Sequence, residues 1–202
     1  MAIYTKRKGF TLIELLVSVA IFTFMTALLV VKYGNFNQSV LLTNLAYDVA
    51  LTLRTAQTYG LSVKGVEGDD LLPFQYVYGV HFDAQGNDKK KFIMFASSDN
   101  DHYDPTTDKI ISTYSIKRGA NISNICWGSS AGDCQFPQGG QEKVLDIAFR
   151  RPDPEAIICA NDVCTNWAQE PYTYAKIILQ GSDGSTRSVA VRSNGQITVQ
   201  NQ

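Results

Sequence analysis

The chain contains few of the groups that catalysis near neutral pH requires. Its 202 residues include only two histidines, His81 and His102, and histidine is the side chain whose ordinary pKa lies closest to neutrality. The sequence also has no G-x-S-x-G, H-E-x-x-H or glycine-rich phosphate loop. His81 falls opposite the aromatic face of an alternating strand, which predicts a solvated residue. We therefore expect neither enzymatic activity nor a cofactor.

Neither sign of charge is in large excess. The chain has 18 Lys and Arg against 19 Asp and Glu, a formal net charge of -1, so bulk charge gives no reason to expect nucleic acid as a partner. Three basic clusters, at residues 89–91, 117–118 and 150–151, leave DNA binding open as an alternative. Lysines at a hairpin tip are more typical of a solvated turn.

A long apolar run follows a basic start. Residues 10–31 read FTLIELLVSVAIFTFMTALLVV, in which Glu14 is the one charged side chain. As a helix this run is about 33 Å long, enough to cross a bilayer. Lys6, Arg7 and Lys8 precede it and predict a cytoplasmic N-terminus by the positive-inside rule. We expect a single-pass protein of the inner or cytoplasmic membrane, with its C-terminal part outside.

A secretory signal peptide has a similar start, but its cleavage site follows the apolar run. Residues 32–36, KYGNF, are a poor match to the small-residue site that such cleavage needs. The small residue lies instead at Gly9, before the apolar run. Cleavage after Gly9 would leave the hydrophobic helix on the product.

The segment KRKGFTLIELLVSVAIFT, residues 6–23, resembles the prepilin signature of type IV pilins and type II secretion pseudopilins. The resemblance implies that a prepilin peptidase removes residues 1–9, cutting between Gly9 and Phe10, and that the new amino group of Phe10 is methylated. It also implies other pilin or pseudopilin subunits and an inner-membrane assembly platform as partners, with membrane lipid around the helix before assembly. Many major pilins have a proline where this chain has Val31, which favours a minor pilin or a pseudopilin.

Glu14 has two interpretations. An acid near the centre of a membrane helix costs about 2.5–3.5 kcal/mol. The amine freed at Phe10 would be a cationic partner in the same or a neighbouring subunit, and the pair would set the register of assembly. Alternatively, Glu14 only occupies the first helical turn, where the helix dipole favours an anion. The surrounding motif favours the assembly role.

The helix is predicted to span residues 10–59 and to carry a folded head at residues 60–202. An apolar stripe at helical spacing predicts a face that packs on the head. It consists of Leu42, Leu45, Ala46, Val49, Leu53 and Ala56. Gly60 is a predicted stop. Weak helix formers at Gly34, Asn35 and Asn37 predict a loosened helix beyond the membrane.

The head shows the pattern of short strands. A hairpin is predicted where alternating residues precede a Gly86-Asn87 turn and a return strand at residues 91–96. The alternating residues are Phe74, Tyr76, Tyr78, Val80 and Phe82. Further strands are predicted at residues 109–116, 120–125, 144–149, 174–179, 188–192 and 196–200, with the turns Asp183-Gly184 and Asn194-Gly195 joining the last three into a meander.

The predicted fold class is therefore α+β: a long helix, half transmembrane and half amphipathic, packed on a mostly antiparallel β head. This arrangement resembles the H-type minor pseudopilin of type II secretion and related type IV minor pilins. The segments LRTAQTYGLSVKG and STRSVAVRSNGQITV carry that resemblance.

Four cysteines form two close pairs in the C-terminal half. They are Cys126, Cys134, Cys159 and Cys164. An even number suits disulfides in an oxidising compartment, with three connectivities open. A four-thiolate zinc site and free thiols are the alternatives, although neither pair has the C-x2-C spacing that zinc ribbons favour.

Short acidic side chains cluster near residue 100. Asp99, Asp101 and Asp104 form a weak calcium candidate, because the glycine and glutamate of an EF-hand loop are missing. The same residue types favour a polar turn. We therefore predict no metal site.

The sequence as a whole predicts a structural subunit that assembles through its N-terminal helix into a type IV pilus or a type II secretion pseudopilus. The alternative is a minor pilin whose head is a binding module for DNA, a surface or a secreted substrate.

Overall fold

The structure is a computed structural model that describes residues 9–62, 64–66, 75–98, 101–138, 143–161, 163–164 and 172–201. Within these residues the chain forms one α-helix followed by ten β-strands. They are α1 (Leu12–Leu61), β1 (Val77–Asp83), β2 (Lys91–Ser97), β3 (Lys109–Ser115), β4 (Asn121–Gly128), β5 (Val144–Phe149), β6 (Ala156–Ala160), β7 (Val163–Cys164), β8 (Tyr174–Gln180), β9 (Thr186–Arg192) and β10 (Ile197–Asn201). The α+β class predicted from the sequence is confirmed.

Helix α1 is continuous over 50 residues, and the chain divides into two compact units between Gln38 and Ser39. Gly34, Asn35 and Asn37 lie inside α1, so they do not interrupt the helix, and the predicted loosening stays a prediction. Their propensity cost of no more than about 1 kcal/mol each is small beside an uninterrupted hydrogen-bond ladder, which propagates cooperatively.

In the second unit, α1 buries one face against the head. Five residues of the predicted stripe are at most 1% exposed, namely Leu42, Ala46, Val49, Leu53 and Ala56, and Leu45 packs at their edge. Full burial of a leucine side chain is worth about 1.5–3 kcal/mol. Packing of this face therefore holds the second half of α1 in place.

The strands form two antiparallel sheets. One has six strands in the order β3-β2-β1-β5-β6-β7, and the other has four in the order β10-β9-β8-β4. A single core cluster combines side chains of the helix and of both sheets, for example Leu53 of α1, Ile147 of β5 and Ile177 of β8. The core thus lies between α1 and the inner faces of the sheets.

Two predicted antiparallel arrangements are present. Strands β1 and β2 form the hairpin, with Val80 opposite Met94, although Phe74 lies outside the described residues. Strands β8, β9 and β10 form the meander. At its turns Gly184 and Gly195 have φ values of +81° and +82°, which only glycine adopts without strain.

The sequence pattern does not predict β6 and β7. Strand β6 has the sequence AIICA, a short apolar run without the period-two alternation that signals a strand. Its conformation comes from pairing with β5, where Ile147 is opposite Ile158. Strand β7 has only two residues and pairs with β6 through Cys159 and Cys164.

Gly60 lies inside α1, one residue before its end, so its role differs from the predicted stop. A Cβ atom at Gly60 would lie 2.4 Å from the backbone oxygen of Phe149 on β5. The helix therefore approaches the six-stranded sheet more closely at Gly60 than any larger residue would allow.

Candidate functional site

Thr11 and Glu14 cap the start of α1. The Glu14 N–H donates to Thr11 Oγ1 at 3.3 Å, while Glu14 Oε2 accepts from the Thr11 N–H at 2.9 Å and from the Thr11 hydroxyl at 2.7 Å. This reciprocal pair is a capping box, which satisfies N–H groups that have no partner within the helix. The role of Thr11 was not predicted, although Thr-x-x-Glu before an apolar run is its sequence signal.

The helix beyond this cap presents apolar side chains all round. Leu12–Val30 is a 19-residue segment with a mean hydropathy of 2.3, none of it buried, and it passes the length and composition test for a membrane span. Glu14 is its one charged residue. A helix that is apolar on every side needs lipid or other apolar helices around it.

The hydroxyl groups of this span are satisfied within the helix. Ser18 donates to the carbonyl of Glu14 at 2.6 Å, Thr26 donates to that of Phe22 at 2.7 Å, and Thr23 donates to that of Val19 at 2.9 Å. Back-bonding of this kind hides a hydroxyl from an apolar medium. The span therefore exposes one strongly polar group, the Glu14 carboxylate.

The predicted cleavage site lies immediately before the helix. Gly9 and Phe10 are exposed and outside α1, and no atom lies within 4 Å of the place where a Gly9 Cβ would be. Within the described residues, the predicted cleavage site is therefore solvent-exposed. Lys6, Arg7 and Lys8 lie outside the described residues.

Comparison with known proteins identifies this segment. Residues 4–30 match the family model described as the prokaryotic N-terminal methylation motif, which is the signature of type IV pilins and pseudopilins. The chain thus carries at its N-terminus the mark of a pilin-like or pseudopilin subunit. Neither a curated protein nor a solved structure matches the chain significantly.

The four cysteines form two local disulfides, Cys126–Cys134 and Cys159–Cys164. The first closes the segment that follows β4, and the second joins paired residues of β6 and β7. Of the three possible connectivities, the structure has the one within each close pair. All four cysteines are disulfide-bonded, so none is a free thiol or a thiolate ligand for zinc in this structure.

The prediction that His81 is a solvated strand residue is wrong. His81 Nδ1 lies 2.7 Å from Oδ1 of Asp146, and the two side chains are only 18% and 1% exposed. Burial lowers the pKa of His81, but the hydrogen bond and negative charge of Asp146, together with the charges of Asp83 and Asp88, outweigh burial and raise that pKa above its ordinary value. Asp146 lies directly opposite His81 on β5, a pairing that sequence alternation does not reveal.

The aspartates near residue 100 have protein partners. Asp101 Oδ2 accepts a hydrogen bond from Arg150 Nη2 at 2.8 Å, and Asp104 Oδ1 accepts from the N–H and hydroxyl of Thr106 at 2.8 and 2.6 Å. The bonds from Thr106 lower the pKa of Asp104. Asp99 lies outside the described residues, among which no group of three His, Cys, Asp or Glu is placed to hold a metal. The polar-turn interpretation fits this arrangement.

In two of the basic clusters, one residue forms an ion pair with an aspartate. Lys91 Nζ lies 2.6 Å from Asp88 Oδ1, and Arg150 is paired with Asp101. An ion pair of this kind reduces the positive potential that would attract phosphate groups.

Proposed function

We propose that the chain is the precursor of a minor pilin or pseudopilin, and that its N-terminal helical segment, residues 10–31, inserts into the core of a type IV pilus or a type II secretion pseudopilus. A prepilin peptidase removes residues 1–9 and Phe10 becomes the methylated N-terminus. One observation carries this proposal: the methylation motif at residues 4–30 coincides with the exposed apolar span Leu12–Val30, in which Glu14 is the one acidic residue.

Cleavage supplies the partner that Glu14 needs in an apolar medium. The new amino group of Phe10 is a cation, and an isolated charge in hydrocarbon is costly. Pairing it with the Glu14 carboxylate of a neighbouring subunit offsets two such costs together. Because Glu14 lies at a fixed distance from Phe10, the pair also sets the axial position of each subunit on the next.

The same apolar surface accepts two environments in turn. Before assembly, lipid surrounds the span Leu12–Val30, with the leader in the cytoplasm and the head outside. During assembly, an inner-membrane platform transfers the helix to a bundle of neighbouring pilin helices, which an all-round apolar surface also accepts.

The second half of α1 offers another apolar contact for this assembly. Val40, Tyr47 and Leu51 are exposed by 41%, 61% and 64%. Their spacings of seven and four residues place them on one side of α1, away from the buried stripe. Neighbouring exposed apolar side chains on a helix are typical of a protein contact, and we assign this one to adjacent subunits.

The mature N-terminus tests the proposal. The chain is produced with and without a prepilin peptidase, and the product is sequenced by mass spectrometry. We expect a chain that starts at methylated Phe10 only when the peptidase is present. The matched variant Gly9→Leu should keep its full length, because a side chain at this open position alters the cleavage site and not the fold. An intact Met1 in wild-type chain exposed to active peptidase, or cleavage after Val31, contradicts the proposal.

A further inference from the structure

The head contains a cleft of about 580 Å³ that the proposed assembly does not use. Its described lining comes from three places: Trp127 of β4 with the stretch that begins at Cys134, the facing ends of β6 and β7 at Ala160, Asn161 and Val163, and Tyr172 just before β8. The volume falls within the range of small-molecule sites, about 300–1,000 Å³.

The lining has a distinct chemistry. Three aromatic rings, Trp127, Phe136 and Tyr172, share it with three carboxamides, Gln135, Gln138 and Asn161. None of the described residues that line the cleft carries a charge. Aromatic faces bind flat apolar surfaces, and a carboxamide can both donate and accept hydrogen bonds. The Asn161 oxygen already accepts from the Val144 N–H at 3.4 Å, so Gln135 and Gln138 are the main candidates for contact with a ligand.

We propose that this cleft binds a neutral saccharide. A sugar ring has an apolar C–H face that suits an aromatic wall, and a rim of hydroxyl groups that each donate and accept, as carboxamides do. A phosphate or carboxylate ligand would instead require a cationic side chain to offset its desolvation. The lining residues that the structure describes include no such side chain, which favours an uncharged ligand.

The walls are held in position without a ligand. The N–H and carbonyl of Trp127 are both bonded to Gln135, at 3.1 and 2.7 Å, next to the Cys126–Cys134 disulfide. The rings of Trp127 and Tyr172 meet edge to face with centroids 6.3 Å apart.

On the other wall, Asn161 has a φ of +50° and its N–H donates to the Val144 carbonyl at 3.2 Å, beside the Cys159–Cys164 disulfide. A site that is ordered in advance pays less conformational entropy on binding. Both disulfides thus have a role in shaping the cleft.

The binding of saccharide is separable from assembly. Every residue that lines the cleft belongs to the second compact unit, and none belongs to the span that carries Glu14. Failure of the saccharide proposal would therefore leave the assembly proposal intact, and the reverse also holds.

Saturation-transfer difference NMR on the full-length chain tests the proposal. The chain is held in phosphatidylcholine nanodiscs, since detergents with sugar headgroups would compete. The neutral probes are lactose, maltose, cellobiose and N-acetyllactosamine, and the anionic probes are sialyllactose and a heparin disaccharide. We expect transfer to at least one neutral probe and none to the anionic probes.

Variants locate the binding. Phe136→Ala and Gln135→Ala each remove one exposed lining group, and each should weaken binding of the neutral probe by about tenfold or more. Tyr114→Ala is the matched control, because Tyr114 on β3 is 40% exposed against 44% for Phe136 and lies outside the cleft. It should leave binding unchanged.

Three results would overturn the proposal: no transfer to any neutral probe at millimolar concentration, transfer to anionic probes only, or unchanged binding in the variants of the cleft. Thermal melting of each variant accompanies the measurement. If Phe136→Ala proves unfolded, Gln135→Ala decides the outcome, because loss of its exposed side chain leaves the backbone bonds to Trp127 in place.

Discussion

His81 on β1 and Asp146 on β5 form a buried pair on the face of the six-stranded sheet that points away from α1. Their ring nitrogen and carboxylate oxygen are 2.7 Å apart. The second oxygen of Asp146 accepts the Tyr103 N–H at 3.3 Å, and the Tyr103 ring lies 4.7 Å from that of His81. The pair therefore anchors Tyr103, which lies between β2 and β3, to the outer face of the sheet.

This pair predicts a loss of stability at alkaline pH. Burial lowers the pKa of His81, but Asp146 raises it by more, with Asp83 and Asp88 adding to the effect, so the folded-state pKa lies above the ordinary 6.5. The stabilisation is complete below the unfolded-state pKa of about 6.5 and is lost as pH rises through the higher folded-state pKa. Chemical unfolding from about pH 6 to about pH 9, followed by near-ultraviolet circular dichroism, measures it.

Two variants of the pair separate charge from packing. His81→Ala leaves a buried carboxylate without its cation, and we expect a loss of about 3–5 kcal/mol. Asp146→Asn keeps an acceptor for Tyr103 and should cost about 1–3 kcal/mol. Both should lose the alkaline slope of the wild-type chain. A slope that persists in His81→Ala would assign it to another group.

Variants of Thr11 and Glu14 distinguish the helix-capping role of Glu14 from its proposed role in assembly. Thr11→Ala removes the cap and should cost the start of α1 about 1 kcal/mol, seen as faster amide exchange in the first turn. It retains the Glu14 carboxylate, so we expect filament incorporation to continue. Glu14→Gln should still be cleaved after Gly9 but should fail to enter filaments. If Glu14→Gln enters them as the wild type does, the proposed pairing with Phe10 is wrong.

Gly60 predicts a strong steric effect from one methyl group. Gly60→Ala would place Cβ 2.4 Å from the Phe149 backbone oxygen, and the forced shift of α1 from β5 should cost about 1–3 kcal/mol. The control is Gly132→Ala, whose Cβ would meet only Ser130 Oγ at 3.8 Å and should change stability by no more than about 0.5 kcal/mol. Equal melting temperatures for the two variants would argue against close packing at Gly60.

The exposed side of α1 predicts variants that fold but do not assemble. Tyr47→Asp and Leu51→Asp alter residues that are 61% and 64% exposed, so each should change stability by no more than about 0.5 kcal/mol. Both should reduce incorporation into filaments, measured by immunoblotting of sheared filaments. Ile110→Asp on β3, where Ile110 is 54% exposed, is the control and should incorporate normally. Equal incorporation of all three would exclude this side of α1 from the subunit contact.

Periodicity predicted the parts of the fold whose residues contact the core at regular intervals. The buried stripe of α1 from Leu42 to Ala56 and the meander β8-β9-β10 repeat a spacing that is visible in the chain. Strand β6 has no such repeat, since its conformation depends on a partner strand distant in sequence. Local pattern therefore predicts amphipathic elements and misses those that pairing alone specifies.

The functional residues also fall into two groups, one predictable from local sequence and one not. Gly9, Phe10 and Glu14 belong to one contiguous motif, which the match at residues 4–30 identifies. The partnership of His81 with Asp146 joins residues 65 positions apart, and the saccharide cleft combines Trp127 with Tyr172. Side chains that come together only in the tertiary structure have no recognisable pattern in local sequence.

The two-residue length of β7 has a consequence for a chain that we propose to stack against copies of itself. A long bare strand at the rim of a sheet is a template on which a second chain adds its own strand, the route to disordered aggregates. Here the rim is short and the Cys159–Cys164 bridge prevents it from peeling away from β6. The disulfide therefore keeps β7 paired with β6 and limits strand addition along β7 to a two-residue stretch.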